Sequence, residues 1–141
     1  MHHGVELPLC RELGIGARET GPDRVVILGG GVIGVEFASA WRSLGAEVTI
    51  VEALDHLVPN EDVALSKQLE RAFRKRGITA RLGVRFAGAT QTDAGVSVSL
   101  EDGTTLEADY LLVAIGRGPA TAGLGLEEAG RFRIEPGGGP H

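Results

Sequence analysis

The chain has 141 residues, a formal charge of −5 and a pI of about 5.3, and 43% of its residues are hydrophobic. This length suits one globular domain with a real core, and the acidic balance argues against a nucleic-acid-binding surface or an anionic-membrane surface. Because Cys10 is the only cysteine, no disulfide forms within the chain, and because signal-peptide and roughly 18-residue apolar runs are missing, we expect a cytoplasmic protein without a membrane partner.

Residues 1–22 are predicted to form an irregular lead-in, because their apolar positions lack a period and Pro8 and Gly14 interrupt them. His2 and His3 could bind a metal, but a disordered start or a tag remnant is the simpler interpretation, and we predict no metal site. Cys10 has no second cysteine and no histidine nearby, so we interpret it as an inert residue.

A buried strand and a glycine loop follow the lead-in. Residues 25–28 (VVIL) have the composition of a strand that is covered on both faces in a parallel sheet. The next residues fit G-x-G-x-x-G and precede a helical pattern, in which the glycines allow a tight turn, close approach of a diphosphate and close helix–strand packing. The predicted phosphate site, at the positive end of that helix, comprises Gly29, Gly30, Gly31, Val32, Ile33 and Gly34.

The helix is predicted over residues 32–44. Its apolar side chains recur at spacings of three and four residues, which predicts that one helix face packs on the sheet. This predicted core face comprises Val32, Ile33, Phe37, Ala40, Trp41 and Leu44.

A second strand, residues 47–52, ends in an acidic residue. Glu52 follows Gly29 by 23 residues, where a carboxylate can accept hydrogen bonds from the adenosine ribose hydroxyls and repel a 2′-phosphate. No Arg or Lys lies between residues 51 and 61, so the sequence favours NAD over NADP. The alternative is that Glu52 is only a solvated residue at a strand end.

A second helix is predicted to begin at an Asn60 cap and to stop at Gly77. Before it, His56 is interpreted as a structural or solvated loop histidine rather than as an acid–base catalyst. The predicted core face of the helix comprises Leu65, Leu69, Ala72 and Phe73. Its cationic end could bind phosphate or nucleic acid, but we interpret it as a solvated face that suits the helix dipole; it comprises Arg71, Arg74, Lys75 and Arg76.

The remaining residues predict strands. Residues 78–82 form a third strand, residues 84–108 alternate in hydrophobicity across two hairpin turns, and residues 110–115 are a wholly apolar strand. The order predicts an α/β fold, a Rossmann-like doubly wound parallel sheet with an inserted antiparallel three-stranded β-meander. Gly116 ends the last strand, where it either admits a nucleotide or serves only as a turn glycine.

Four segments together resemble one family. They are VVILGGGVIGVEF at residues 25–37, VTIVE at residues 48–52, the meander with GAT at residues 88–90 and LEDG at residues 100–103, and LLVAIGRGP at residues 111–119. Over about residues 23–130 the sequence is similar to the NAD-binding domain of dihydrolipoamide dehydrogenase, a class I pyridine nucleotide–disulfide oxidoreductase and a flavoprotein.

The resemblance implies roles for particular residues. It places the diphosphate on Gly29 to Gly34 and the adenosine ribose on Glu52. It also implies that Glu36 reaches toward the nicotinamide, that Phe86 lies near the adenine and that Gly116 lines the site. The implied domains are an NAD-binding domain over residues 23–122 and a flexible glycine-rich tail over residues 123–141.

The resemblance is partial, because enzymes of this family also carry an FAD-binding domain with a Cys-x4-Cys pair and an interface domain with a His-x4-Glu pair. The 141 residues have one cysteine and so no Cys-x4-Cys pair, and we identify neither domain in them, so we expect NAD(H) to bind, FAD not to bind, no catalytic residue and no turnover by this chain alone. After residue 130 the resemblance stops, which suggests a truncated, excised or frame-shifted product.

Other functions stay open at this point. The chain could be a non-catalytic remnant or an interaction module, or the NADH domain of another flavoprotein disulfide reductase or NADH oxidase. Its partners would be the FAD and interface domains or a homodimer mate. A methyltransferase fits poorly, since it would not explain the meander or the residues around Gly116.

Overall fold

The computed structural model describes residues 21–116, so the lead-in up to residue 20, residues 117–122 and the glycine-rich tail lie outside the described residues. Four parallel strands form the main sheet in the order β3-β2-β1-β7. In register, Val25 lies between Val48 and Tyr110. The strands are β1 (Arg24–Leu28), β2 (Glu47–Glu52), β3 (Ile78–Leu82) and β7 (Tyr110–Val113).

Two helices, α1 (Val32–Ser43) and α2 (Val63–Lys75), join the first of two hydrophobic clusters. Successive side chains of a strand point to opposite faces of the sheet, so alternate residues of β1 and β2 contribute to this cluster. The helices contribute few large side chains to it, and Phe73 of α2 is the bulkiest of those that are buried. The buried set includes Val25, Ile27, Val35, Ala38, Val48, Ile50, Phe73 and Ile78.

The meander covers the opposite face of the main sheet. It consists of β4 (Phe86–Thr92), β5 (Gly95–Leu100) and β6 (Thr105–Ala108), paired antiparallel in that order. Its inner residues join the second cluster with those of β1 and β2, namely Val26, Leu28, Val51, Val98, Leu100 and Ala108. The predicted α/β fold with an inserted meander is confirmed. Within the described residues, both helices pack on one face of the main sheet, and the antiparallel strands of the meander cover the other face.

The predicted core face of α1 is wrong. Gly34, Val35 and Ala38 are the buried residues of the helix, and only Trp41 of the predicted stripe packs partly against the core. A Cβ at Gly34 would lie 2.0 Å from the Gly29 carbonyl oxygen, so the helix rests on the strand at this glycine. That contact turns the apolar stripe outward, and its exposed members include Val32, Ile33, Phe37 and Leu44.

The start of α2 also differs from the prediction. Asp62 caps the helix, because its Oδ1 accepts a hydrogen bond from the Ala64 N–H at 2.7 Å. Asn and Asp are equally good caps, so residue type alone could not choose between Asn60 and Asp62. The buried side of α2 runs through Ser66 and Phe73, whereas Leu65 is exposed.

Neither helix within residues 21–116 has the length and the hydropathy that crossing a lipid bilayer requires.

Candidate dinucleotide site

The turn from β1 into α1 requires glycine at its first position. Gly29 adopts φ +105°, and its N–H donates to the carbonyl oxygen of Val51 at 2.9 Å. A Cβ at this position would lie 2.3 Å from the backbone oxygen of Ala114. The first glycine of the loop therefore allows three neighbouring strand ends to meet without a side chain between them.

The start of α1 is open to a ligand. Gly31 is the N-cap and supplies no side-chain cap, and the first turn contains no acidic residue. The first intrahelical hydrogen bond runs from the Val35 N–H to the Gly31 oxygen at 3.0 Å, so the N–H groups of Val32, Ile33 and Gly34 precede it.

Gly31 has open space on the side where a Cβ would lie. A Cβ added at Gly31 would have no other described atom within 4 Å apart from its chain neighbours. Packing within the described chain therefore does not explain the glycine, and the bare backbone leaves room for a ligand group. The positive end of α1 favours an anionic group.

Glu52 reaches the glycine loop with both carboxylate oxygens. Oε2 accepts from the Gly30 N–H at 2.7 Å, and Oε1 accepts from the Leu54 N–H at 2.9 Å. The residue is half-buried. Because each carboxylate oxygen can accept more than one hydrogen bond, the same group keeps capacity for ribose hydroxyls.

The connection between β2 and α2 contacts the glycine loop through a backbone hydrogen bond and a buried side chain. The Val58 N–H donates to the Gly30 oxygen at 2.7 Å, and the Leu57 side chain is fully buried. The Leu57 N–H in turn donates to Glu70 Oε1 of α2 at 3.0 Å. Sequence reasoning missed Leu57, Val58 and Glu70; the available signal was the apolar pair between His56 and Pro59.

The other predicted residues lie on β4, just beyond β7 and on α1. Phe86 begins β4 and is 42% exposed, two residues after Val84, whose N–H donates to the Glu52 backbone oxygen at 3.2 Å. Gly116 is exposed and adopts φ +120°, just beyond β7. Glu36 is exposed on α1.

His56 has a carboxylate partner in the adjacent residue, Asp55. Its Nδ1 pairs with Oδ1 of Asp55. The hydrogen bond to Asp55 raises the pKa of His56 above its ordinary value of 6.5, and the same hydrogen bond lowers the pKa of Asp55.

Across residues 21–116, no group of three or more His, Cys, Asp or Glu side chains could hold a metal ion. His2, His3 and Cys10 lie outside the described residues.

Comparison with known proteins gives consistent matches. Over 114 residues the chain is 46% identical to dihydrolipoyl dehydrogenase 3 of Pseudomonas putida, covering 77% of this chain and 24% of that protein. It is 43% identical over 109 residues to an NAD(P)H dehydrogenase (quinone) of Mycobacterium tuberculosis, covering 77% of this chain and 22% of that protein.

A solved structure matches as well. The crystal structure of LpdA from Mycobacterium tuberculosis gives a TM-score of 0.70 at 41% identity, covering 82% of this chain and 25% of that one. The chain thus spans about a quarter of the length of the relatives it matches. A family model described as pyridine nucleotide-disulphide oxidoreductase matches residues 3–139, a wider span than the resemblance over residues 23–130. The chain therefore belongs to the pyridine nucleotide-disulphide oxidoreductase family.

Proposed function

We propose that the chain is the NAD(H)-binding segment of a dihydrolipoyl dehydrogenase-type flavoprotein. One observation carries the proposal: the uncapped start of α1 exposes Gly31 to open space while Glu52 holds the neighbouring Gly30 N–H at 2.7 Å. A group with a diphosphate and a ribose diol suits backbone donors that lie beside a carboxylate. NAD(H) has both, and we propose that Phe86, Gly116 and Glu36 line the rest of its path.

The experiment is a titration of the 141-residue chain with NADH and NADPH, followed by nicotinamide fluorescence. We expect tighter binding of NADH, because the Glu52 carboxylate repels a 2′-phosphate. Glu52→Gln keeps an oxygen that can accept from Gly30 but removes the charge, so its NADH preference falls. Glu52→Ala loses both functions, so it binds NADH more weakly as well. Equal affinity of the unmodified chain for the two nucleotides would contradict the NAD assignment.

The reaction of the whole protein is part of the same proposal. Dihydrolipoamide and NAD⁺ would be converted to lipoamide and NADH, with a redox disulfide and FAD held by protein outside these residues. The flavin would supply the hydride chemistry. The chain's own residues would bind the dinucleotide and select its unphosphorylated ribose. We also propose a cytoplasmic location.

The electron acceptor is the least constrained part. The matched proteins include one named for dihydrolipoyl and another named for quinone, and the residues that we propose for the nucleotide do not select between these acceptors. The alternative is therefore the NADH domain of another flavoprotein disulfide reductase or NADH oxidase.

A second candidate function is that of an interaction module. The exposed apolar stripe on α1 supports it, because Phe37 and Leu44 are 37% and 79% exposed. Its partners would be FAD and interface domains, or a homodimer mate. The two functions overlap at Val32 and Ile33, which belong to the stripe and to the proposed phosphate site, whereas Phe37 and Leu44 belong to the stripe alone.

A further inference from the structure

We propose that Glu70 of α2 is a positioning residue for the glycine loop. It follows Gly30 by 40 positions in the sequence, and we do not expect it to touch the dinucleotide. The inference rests on the proposed function, since the loop it positions is the one assigned to the diphosphate. Glu70 would act through the backbone of Leu57 and Val58, which lie between α2 and the loop.

The contacts form one continuous path. Glu70 Oε1 accepts from the Leu57 N–H at 3.0 Å, and the next N–H, that of Val58, donates to the Gly30 oxygen at 2.7 Å. The Gly30 N–H donates to Glu52 at 2.7 Å. Both polar backbone groups of Gly30 are thus held, and this fixes the peptide that leads into Gly31.

Packing reinforces the path. The Leu57 side chain has no exposed surface, and a Cβ at Gly30 would lie 2.7 Å from its Cδ2 atom. Leu57 therefore fills the space directly behind the glycine loop. A shift of the Leu57 backbone would change how its side chain packs against Gly30, because a close-packed interior has no empty space to absorb the movement.

Backbone strain explains why a hydrogen-bond acceptor is needed at this place. Val58 adopts φ +44°, the only positive φ of a non-glycine residue within the described chain. A β-branched residue strongly disfavours this region, and such a conformation persists only when its surroundings hold it. Glu70 secures the residue before Val58, and Gly30 secures Val58 itself. Without Glu70, we infer that Val58 relaxes toward negative φ and its N–H turns away from the Gly30 oxygen.

The test compares Glu70→Ala with Glu70→Gln in the 141-residue chain. The Ala variant should bind NADH about fivefold more weakly, the effect of losing one well-placed hydrogen bond. The Gln variant keeps an acceptor oxygen and should stay within about twofold of the unmodified chain. The matched control is Gln68→Ala, because Gln68 is an exposed residue of the same helix, and it should leave the affinity unchanged.

Amide hydrogen exchange separates positioning from general stability. In Glu70→Ala the Val58 amide should exchange about tenfold faster, while amides of β1 such as that of Ile27 keep their rates. Unchanged protection of Val58, or an equal loss of protection at Val58 and Ile27, would overturn the inference. Failure of the unmodified chain to bind NADH would overturn the proposed function instead, and the exchange rates would still decide whether Glu70 holds Val58.

Discussion

At the scale of the residue, three glycines of one loop have three different reasons to be glycine. Gly29 needs a positive φ, Gly34 needs the absence of a Cβ against backbone, and Gly31 has open space where a Cβ would be. The sequence pattern predicted the tight turn at Gly29 and the close packing at Gly34, since the spacing of G-x-G-x-x-G follows from the geometry of a strand, a turn and a helix. The pattern did not show that Gly30 is also constrained, by Leu57 and Glu52.

Exchanging two of these glycines for alanine should separate folding from binding. Gly34→Ala forces a contact of 2.0 Å with the Gly29 oxygen, so we expect a loss of about 3 kcal/mol or more in the free energy of unfolding. Gly31→Ala meets no described atom and should cost about 1 kcal/mol, the difference between Gly and Ala at an N-cap. It should nevertheless weaken NADH binding markedly, because the new methyl group occupies the proposed diphosphate position. Urea unfolding and NADH titration of both variants test this, and full NADH affinity in Gly31→Ala would contradict it.

At the scale of the element, the sequence predicted which segments are helices and strands better than it predicted which way they face. The β2 and β3 bounds agree with the prediction, and α1 begins at Val32 as expected. The prediction that the apolar stripe on α1 faces the core was wrong, because helical periodicity identifies an apolar face but does not show what packs against it. The predicted cap of α2 at Asn60 was wrong, because the buried Leu57 and Val58 fix the connection and the helix is capped only at Asp62.

The connection between β2 and α2 should make stability depend on pH. The Asp55 carboxylate raises the pKa of His56, so the folded state favours protonated His56. This contribution to stability is fully present below the ordinary pKa of 6.5 and is lost as the pH rises through the raised value. Because the pair is exposed, we expect the effect to be small.

Urea unfolding between about pH 5.5 and 8.5 measures this dependence. His56→Gln and Asp55→Asn should each flatten the curve on the alkaline side of pH 6.5, since each removes one partner of the same pair. A pH dependence that is identical in the unmodified chain and in both variants would show that the pair does not contribute.

At the scale of the whole molecule, the described unit covers its main sheet on both faces yet leaves apolar surface on α1. Phe37 and Trp41 pack their rings with centroids 5.6 Å apart, and Phe37 and Leu44 keep substantial exposed surface. Exposed apolar residues that follow one helix face are typical of a surface that another protein segment covers. The match covers 24% of the length of the Pseudomonas putida relative, so most of that protein lies outside the matched part.

The isolated chain should therefore self-associate through α1. Sedimentation velocity should show an average mass that rises with protein concentration. Leu44→Gln, alone or with Phe37→Gln, should reduce this association with little loss of stability, because surface substitutions usually change the free energy of unfolding by about 0.5 kcal/mol or less. The matched control is Leu65→Gln, an exposed leucine on α2, which should leave association unchanged. Concentration-independent mass in the unmodified chain would contradict the prediction.

The position of β1 in the main sheet bears on synthesis at the ribosome. Val25 pairs with Val48 on one side, but its other neighbour, Tyr110, is 85 residues further along the chain. At a translation rate of about 5 to 20 residues per second, the nascent chain would wait roughly 4 to 17 s between the two strands. During that interval one side of β1 would present unpaired backbone groups beside valine and isoleucine, a state that invites pairing with other chains. A chaperone that binds this strand early would thus raise the yield of folded protein, although β1 is paired on both sides in the folded sheet.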